Sequence, residues 1–369
     1  MSIVLSTEQR EQAGSDSYNR FEYQIHWIVC HIIDELEKET ECIIFCEFHD
    51  DMAKYSNETK LYQFYQIKTK DNPSKWTISE MSKREKNKNG GYKKSFLGFL
   101  FYNFLTFGTE CAHCHFISNN DFEEDVLLWQ SYIEDGKIVK TENCDLYNKI
   151  KKRIKDEYCE DLPKDFDSVF DVFIQNTFVS SSKLQLNSYE AQTKGLFFEY
   201  LADKSIPTDT ANIILQQIIN DVRKKSKAKI RIPISMNKLV KEKGIEIGMI
   251  NRKIENKIKN EGDYSGFHEF LIEQSLSPEH ISRLEKGLKQ HEMRWLDVDD
   301  IKYHETIIAL RKIMSSYSNE QKSEIDFLAE LKTKSFQRLN ELELDSVILD
   351  DLLVEVLYYY EKFQRGVKF

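Results

Sequence analysis

Glycine and proline are scarce in this chain of 369 residues, which contains 13 glycines and five prolines. Because both residues interrupt helices and build turns, their scarcity indicates a helix-rich protein with few long loops. The sequence also lacks an apolar run of the roughly eighteen residues that a membrane span needs. Its first residues contain no basic segment followed by an apolar one, so no secretory signal is expected. We therefore expect a cytoplasmic protein without membrane contact.

Cysteine usage excludes a disulfide framework, because the seven cysteines form an odd and scattered set. Cys111 and Cys114 have the spacing of half a zinc site, but no second pair accompanies them, and a structural zinc site needs four ligands. The alternating residues that lead to Phe116 and Ile117 favour a buried strand here instead.

Net charge of −10 argues against a nucleic-acid-binding protein, but the charge is unevenly distributed. Residues 52–98 contain eleven Lys and Arg against four Asp and Glu. A basic segment of this kind is suited to phosphate contact, although a solvated lysine-rich loop is the alternative. The predicted DNA-binding residues are Lys70, Lys83, Arg84, Lys86, Lys88, Lys93 and Lys94.

The stretch LYQFYQIKTK, residues 61–70, alternates as a strand does. Gln66 and Lys68 therefore project to the same side, roughly 6–7 Å apart. A buried strand is predicted just before, over residues 41–48, and Asp50 and Asp51 follow it. A polar loop is predicted over residues 52–60. The pattern brings carboxylates to one strand end and Gln-x-Lys to the next strand.

Carboxylate and amide oxygens are ligands that Mg²⁺ accepts, and the ion commonly takes only one or two protein carboxylates. Asp50, Asp51 and Gln66 are therefore the candidate ligands of Mg²⁺ or Mn²⁺, and Lys68 is the catalytic lysine beside a phosphodiester. Glu22, on the first helix, is a further catalytic candidate. The alternatives are that the two aspartates form an ordinary turn and that the Gln-x-Lys pattern in the strand is accidental. The pattern nonetheless predicts a nuclease site.

The order helix–strand–strand–helix–strand predicts an α+β protein with a mixed N-terminal sheet flanked by helices. We expect a nuclease domain at residues 1–225, with its core at about 16–120 and a helical extension at 121–225. A helical assembly or partner-binding domain should occupy residues 226–369. A predicted helix at residues 347–363 is a candidate subunit interface, because its segment LDDLLVEVLYYYEKF concentrates six large aliphatic and four aromatic residues.

Several segments, among them CEFHDD, YQIKTKDNPSKWT, KKSFLGFLFYNF and FISNNDF, resemble the antiphage endonuclease domain of CD-NTase-associated (CBASS) effectors, a branch of the PD-(D/E)xK nucleases. The resemblance covers about residues 8–225. Its Asp…Gln-x-Lys motif falls on Asp50 or Asp51, Gln66 and Lys68. It implies a restriction-endonuclease-like fold and metal-dependent cleavage of double-stranded DNA during phage defence.

Stand-alone relatives of this kind pair with a HerA-type hexameric ATPase, and the helical C-terminal region makes the chain more similar to them than to the nucleotide-sensing effectors. The resemblance therefore implies a partnership with such an ATPase, and the apolar helix at residues 347–363 indicates a homo-oligomer. A catalytically silent DNA-binding subunit of an ATPase complex is the alternative function. A third hypothesis is a purely structural helical scaffold, in which the Asp, Gln and Lys set is accidental.

Overall fold

A computed structural model describes residues 13–87, 90–159, 162–204, 206, 208–260, 266–296, 301–316, 324–341 and 351–365. The chain divides into two compact units. The first unit consists of Met1–Asp203 and Ile218–Asn251, and the second of Lys204–Gln217 and Arg252–Phe369. No described helix is both long and apolar enough to cross a membrane.

Six described strands form one sheet in the first unit, with the order β5-β4-β3-β2-β1-β6. They are β1 (Cys42–Phe48), β2 (Asp50–Ser56), β3 (Tyr62–Lys68), β4 (Cys111–Ser118), β5 (Thr177–Ser181) and β6 (Gly244–Glu246). The strands β6, β1, β2 and β3 pair antiparallel, whereas β3, β4 and β5 pair parallel. The mixed sheet and the helices around it confirm the predicted α+β class.

The helices of the first unit are α1 (Ala13–Glu37), α2 (Ile78–Met81), α3 (Phe96–Phe107), α4 (Glu124–Glu134), α5 (Val139–Glu142), α6 (Cys144–Glu157), α7 (Phe166–Gln175) and α8 (Tyr189–Leu201). Next come α9 (Thr208–Lys227), which both units share, α10 (Met236–Lys243) and α11 (Ile247–Asn260). In α1 the apolar residues Ile25, Val29 and Ile32 recur at helical spacing, and all three are buried.

The two faces of β3 meet different helices. Phe64 packs in the large core that includes Leu100 and Phe101 of α3. Tyr65, on the opposite face, lies 5.8 Å from the ring of Trp27 on α1. This separation follows the alternation of the sequence, so the strand prediction is confirmed.

The predicted loop at residues 52–60 is wrong over most of its length, because residues 50–56 form β2. Met52 and Ala53 are fully buried. Lys54 made the segment look solvated, but its ammonium lies 2.7 Å from the carboxylate of Glu35 on α1. A charged residue in a central strand is tolerated here because a buried partner neutralises it.

Two further strands lie in segments that were predicted to be helical. β5, at residues 177–181, interrupts the predicted helical extension, and it extends the sheet by pairing with β4. β6 lies within the helical domain predicted at residues 226–369, and it pairs with β1. Both strands are too short to show a period of their own. The first unit therefore continues beyond the predicted domain end at residue 225.

Cys111 and Cys114 lie in β4, as predicted, and both are buried. A register shift at the start of the β3–β4 pair brings their sulfur atoms to 3.8 Å. The described residues contain no cluster of three His, Cys, Asp or Glu side chains placed to hold a metal ion.

The second unit is helical, with α12 (Phe267–Glu273), α13 (Pro278–Leu296), α14 (Ile301–Ser316), α15 (Glu324–Glu341) and α16 (Asp351–Arg365). The predicted helix at residues 347–363 corresponds to α16, and its residues 347–350 lie outside the described ones. Val354, Val356 and Leu357 are fully buried in the core of this unit. The apolar side chains that suggested an interface are thus used inside the second unit.

Gly244, the first residue of β6, is a point where the first unit is tightly packed. A Cβ atom at this residue would lie 2.7 Å from Cα of Val240 and 3.2 Å from the ring of Phe45. Gly244→Ala should therefore lower the free energy of unfolding by about 1–3 kcal/mol.

Gly195→Ala in α8 is the matched control, because its Cβ would meet nothing within 4 Å. The control should be neutral or stabilising by up to about 1 kcal/mol. If urea unfolding gave the same change in the free energy of unfolding for both variants, the close packing of β6 would be contradicted.

Candidate active site

The two aspartates lie at the turn between β1 and β2. Phe48 pairs with Asp50, and His49 alone joins them, with a backbone φ of 62°. This left-handed conformation is uncommon for a residue other than glycine, and it accompanies a reversal of the chain within one residue. Asp50 and Asp51 therefore begin β2 at the end of the sheet where β3 finishes.

Asp51, Gln66 and Lys68 lie together on neighbouring strands. The register of β2 and β3 places Asp51 and Gln66 at the same level. One carboxylate oxygen of Asp51, Oδ2, accepts hydrogen bonds from Lys68 Nζ at 2.8 Å and from the backbone N–H of Ile67 at 2.7 Å. The carboxylate and the ammonium group predicted for one site are thus in direct contact.

Gln66 is almost fully buried, with 4% of its surface exposed. Its side-chain carbonyl oxygen, Oε1, accepts no hydrogen bond from any residue that the structure describes. Leaving a buried polar atom without a partner costs about 1–3 kcal/mol, so native proteins rarely do it. The orphaned oxygen beside Asp51 indicates a place for a ligand that is positively charged or donates a hydrogen bond.

Asp50 is held by its neighbours on both sides. Its Oδ1 accepts from the backbone N–H of Asp51 at 3.1 Å, and its Oδ2 accepts from the amide of Asn103 at 3.3 Å. Burial and then the charge of Asp51 raise the pKa of Asp50 well above its usual range, against the opposing effect of Lys68. Asp50 and Asp51 are therefore an electrostatically strained pair that a cation would relieve.

Sequence reasoning missed two residues of this site, Asn103 and Glu47. Asn103 is a buried amide in the aromatic helix α3, and its isolation among apolar residues was the signal that could have found it. Glu47 lies near the end of β1 with a backbone φ of 51°. Although part of its side chain is exposed, partial burial and the charge of Asp51 raise the pKa of Glu47, and Lys243 and Lys68 oppose the rise. No sequence pattern marks Glu47.

These side chains suit a divalent cation of the Mg²⁺ type. The site offers two carboxylates and one amide oxygen, all hard oxygen ligands. The Gln66 oxygen has a free acceptor site, and the raised pKa of Asp50 reflects a carboxylate that no full counter-charge stabilises, so a bound cation would satisfy both groups. The residues therefore fit the metal that the sequence suggested.

Glu22 is not brought into this group. Its two carboxylate oxygens accept hydrogen bonds from Arg223 at 3.0 and 2.7 Å. Burial alone would raise the pKa of Glu22, but the bidentate contact with Arg223 lowers it below its usual value. Glu22 thus ties α1 to α9, and the predicted catalytic role for it finds no support in the geometry.

Lys70 is also used within the protein. Its ammonium group hydrogen-bonds to both carboxylate oxygens of Glu80 at 3.2 Å and to the carbonyl of Lys75 at 3.1 Å. It also lies 4.0 Å from the centre of the Trp76 ring. Lys70 thus helps to fix the loop after β3, and its predicted contact with DNA would compete with these bonds.

The remaining basic residues predicted to bind DNA lie around a short antiparallel bridge between Lys86 and Tyr92. Arg84 donates to the carbonyls of Lys93 and Tyr92 and so closes this loop. Lys93 pairs with Glu85 at 3.4 Å, and Lys94 lies 3.8 Å from the Tyr158 ring. Lys83 and Lys86 are exposed, whereas Lys88 lies outside the described residues.

Two carboxylates, an unsatisfied amide oxygen and a lysine at one end of a mixed sheet are typical of nucleases. The sequence places this protein within that class. It belongs to the family of Cap4 dsDNA endonuclease domains, whose family model matches residues 12–226. The matched segment contains all four of these side chains, and it ends before β6.

Solved structures with some similarity are Cap4 receptors that contain a SAVED/CARF domain. The Moraxella osloensis protein is 14% identical with a TM-score of 0.35, and the match covers 56% of this chain and 43% of that one. An Acinetobacter baumannii protein is 10% identical with a TM-score of 0.38, and the match covers 74% of this chain and 60% of that one. The chain thus spans less than two thirds of these neighbours. No curated protein matches the sequence significantly.

The pair of Glu22 and Arg223 gives a test of its structural role. Because its pKa is lowered in the folded state, ionised Glu22 adds stability at neutral pH, and this contribution is lost as the pH falls through the folded pKa. Glu22→Gln should cost roughly 2 kcal/mol near neutral pH, less than a fully buried pair because Arg223 is partly exposed. The deficit should shrink in acid.

Urea unfolding at neutral and at acidic pH measures how the stability deficit of Glu22→Gln changes with pH. Glu58→Gln, at an exposed glutamate, is the matched control. An unchanged unfolding midpoint together with weaker metal binding would instead return Glu22 to the metal site.

Proposed function

We propose that this protein is a metal-dependent endonuclease that cuts double-stranded DNA as an effector of antiphage defence. The observation that carries the proposal is the contact of Asp51 with Lys68 beside the orphaned oxygen of Gln66. The family of the matched segment supports the same substrate and reaction. Assignment to the PD-(D/E)xK nucleases follows from the Asp…Gln-x-Lys order and is part of the proposal.

Asp50 or Asp51, with Gln66, would hold Mg²⁺ or Mn²⁺. The cation, when bound, supplies Lewis-acid activation of the phosphoryl group and of water. A neutral glutamine adds no charge to this set, so the site depends on the aspartates for its negative potential. Asn103 and the backbone N–H of Asp51 orient the carboxylate of Asp50. The side chains are therefore placed before the substrate arrives.

Lys68 is the cation that this chain itself brings to the phosphodiester. Its ammonium lies 2.8 Å from Asp51 and 5.7 Å from the centre of the Phe96 ring. In this position it can donate a hydrogen bond to a phosphate oxygen and offset the charge that develops there. Exposed Lys83 and Lys86 would contact the flanking DNA backbone.

The partner and the assembly are proposed from the resemblance to nucleases that work with a HerA-type ATPase. The second unit lies largely outside the matched segment and is a separate compact body, which suits it to assembly or partner binding. Homo-oligomerisation would gather several nuclease domains around one DNA. Since the apolar face of α16 is buried, such contacts would use other surfaces of the second unit.

Lys68→Ala should abolish nicking of plasmid DNA in Mg²⁺ or Mn²⁺ while the protein stays folded. Removing one such interaction with the transition state typically lowers the rate by roughly 10²–10³-fold. EDTA should abolish the wild-type activity, and thermal unfolding of the variant should show the fold. Lys60→Ala, an exposed lysine at the β2–β3 turn, is the control.

Wild-type nicking by Lys68→Ala would refute the site assignment. DNA binding without nicking by the wild-type protein, in either metal, would favour a catalytically silent DNA-binding subunit.

A further inference from the structure

A polar cavity of about 370 Å³ lies where the three parallel strands β3, β4 and β5 end. Its walls come from the loops that follow these strands and from α1. We call it the amide pocket, because its lining includes Asn19, Asn72, Asn119, Asn120, Gln185 and Asn187. The carboxyl ends of parallel strands are a frequent place for ligands in open sheets.

The amide pocket lies at the same edge of the sheet as the candidate active site. Lys68, the last residue of β3, pairs with Ser118, the last residue of β4. Asn119 directly follows Ser118, and Lys70 lies two positions after Lys68. Both residues line the pocket. A DNA strand held at Lys68 would therefore pass beside the pocket.

The floor of the amide pocket is held rigidly by two asparagines. Asn119 accepts from the backbone N–H of Lys70 and donates to its carbonyl, both at 2.9 Å. Asn120 donates to the carbonyl of Ser74 at 3.0 Å and to that of Asn72. The loop after β3 is thus fixed, and a ligand would meet a preformed surface.

Other amides of the pocket have hydrogen-bonding capacity left. The side chains of Gln185 and Asn187 are exposed and make no hydrogen bond within the described part of the chain. Asn19 accepts from the hydroxyl of Tyr189 at 3.0 Å, which leaves its amide N–H groups for a ligand. The loop that carries Gln185 is itself fixed, since its backbone N–H donates to Gln192 at 2.7 Å.

The chemistry of these groups favours a nucleotide over a bare phosphate. Asp71, the carboxylate in the lining, is paired with Arg20, and the ammonium of Lys70 is turned toward Glu80. Neutral amides, with a donor and an acceptor side by side, match the edges of DNA bases, as in the pairing of Asn or Gln with adenine. A phosphate site would instead present unpaired cations.

We infer that the amide pocket binds one nucleotide of the DNA substrate next to the phosphodiester that Lys68 contacts. The inference rests on the proposed function, and it adds an interaction that is independent of charge. Its consequence is measurable, because neutral interactions change affinity without changing the number of ions released on binding.

The test is the equilibrium binding of a short DNA duplex to the full chain in EDTA. Fluorescence anisotropy measures the affinity at several salt concentrations. Gln185→Ala with Asn187→Ala should weaken binding roughly ten- to thirtyfold, the effect of removing two hydrogen bonds. The slope of log affinity against log salt should stay the same. Both side chains are exposed, so the double variant should keep the wild-type unfolding temperature.

Two comparisons make the result specific. Asn148→Ala, an exposed amide on α6, should leave affinity unchanged. Lys83→Ala with Lys86→Ala should lower the salt slope by about 0.9 for each phosphate that the protein no longer neutralises. Wild-type affinity of the Gln185/Asn187 variant, or a lowered salt slope in it, would overturn the inference and leave the nuclease proposal standing. A wild-type chain that neither binds nor cuts DNA would overturn both.

Discussion

The hydrogen bonds of one carboxylate oxygen hold the candidate site together. Oδ2 of Asp51 accepts from the backbone N–H of Ile67 and from the ammonium of Lys68. The first bond ties the start of β2 to the end of β3, and the second places a cation beside Gln66. Because both bonds end on one atom, any shift of the β1–β2 turn would displace the carboxylate and the lysine together.

The turn also concentrates negative charge that the protein compensates only in part. Asp50 and Asp51 are adjacent, and Glu47 is close enough for the charge of Asp51 to raise its pKa. Lys68 neutralises one of these carboxylates. Elsewhere in the first unit, buried acids have dedicated partners, such as Arg223 for Glu22. An uncompensated group of acids at a strand end is thus a local feature of this site.

The strong periodic signals of the sequence predicted the fold well. The alternation of β3 was interpreted correctly because it extends over enough residues to show its period. β2 was missed because Lys54 made it look polar, and the residue that neutralises Lys54 is Glu35, which lies on a different element. No local pattern reveals such a partner.

The candidate site was predicted in part for the same reason. The sequence grouped Asp51, Gln66 and Lys68 correctly, but the pairing of β2 with β3 that brings them together was not predicted. The pairing of Glu22 with Arg223 could not be anticipated, because Arg223 lies 201 residues further along the chain. That the oxygen of Gln66 lacks a donor could be learned only from the packed structure.

Anomalous diffraction from a crystal of the full chain grown with Mn²⁺ would test the central claim most directly. We expect a Mn²⁺ peak coordinated by Oε1 of Gln66 and by a carboxylate oxygen of Asp50 or Asp51. A crystal in which Mn²⁺ binds only elsewhere, while the Gln66 oxygen accepts a hydrogen bond from the protein, would contradict it.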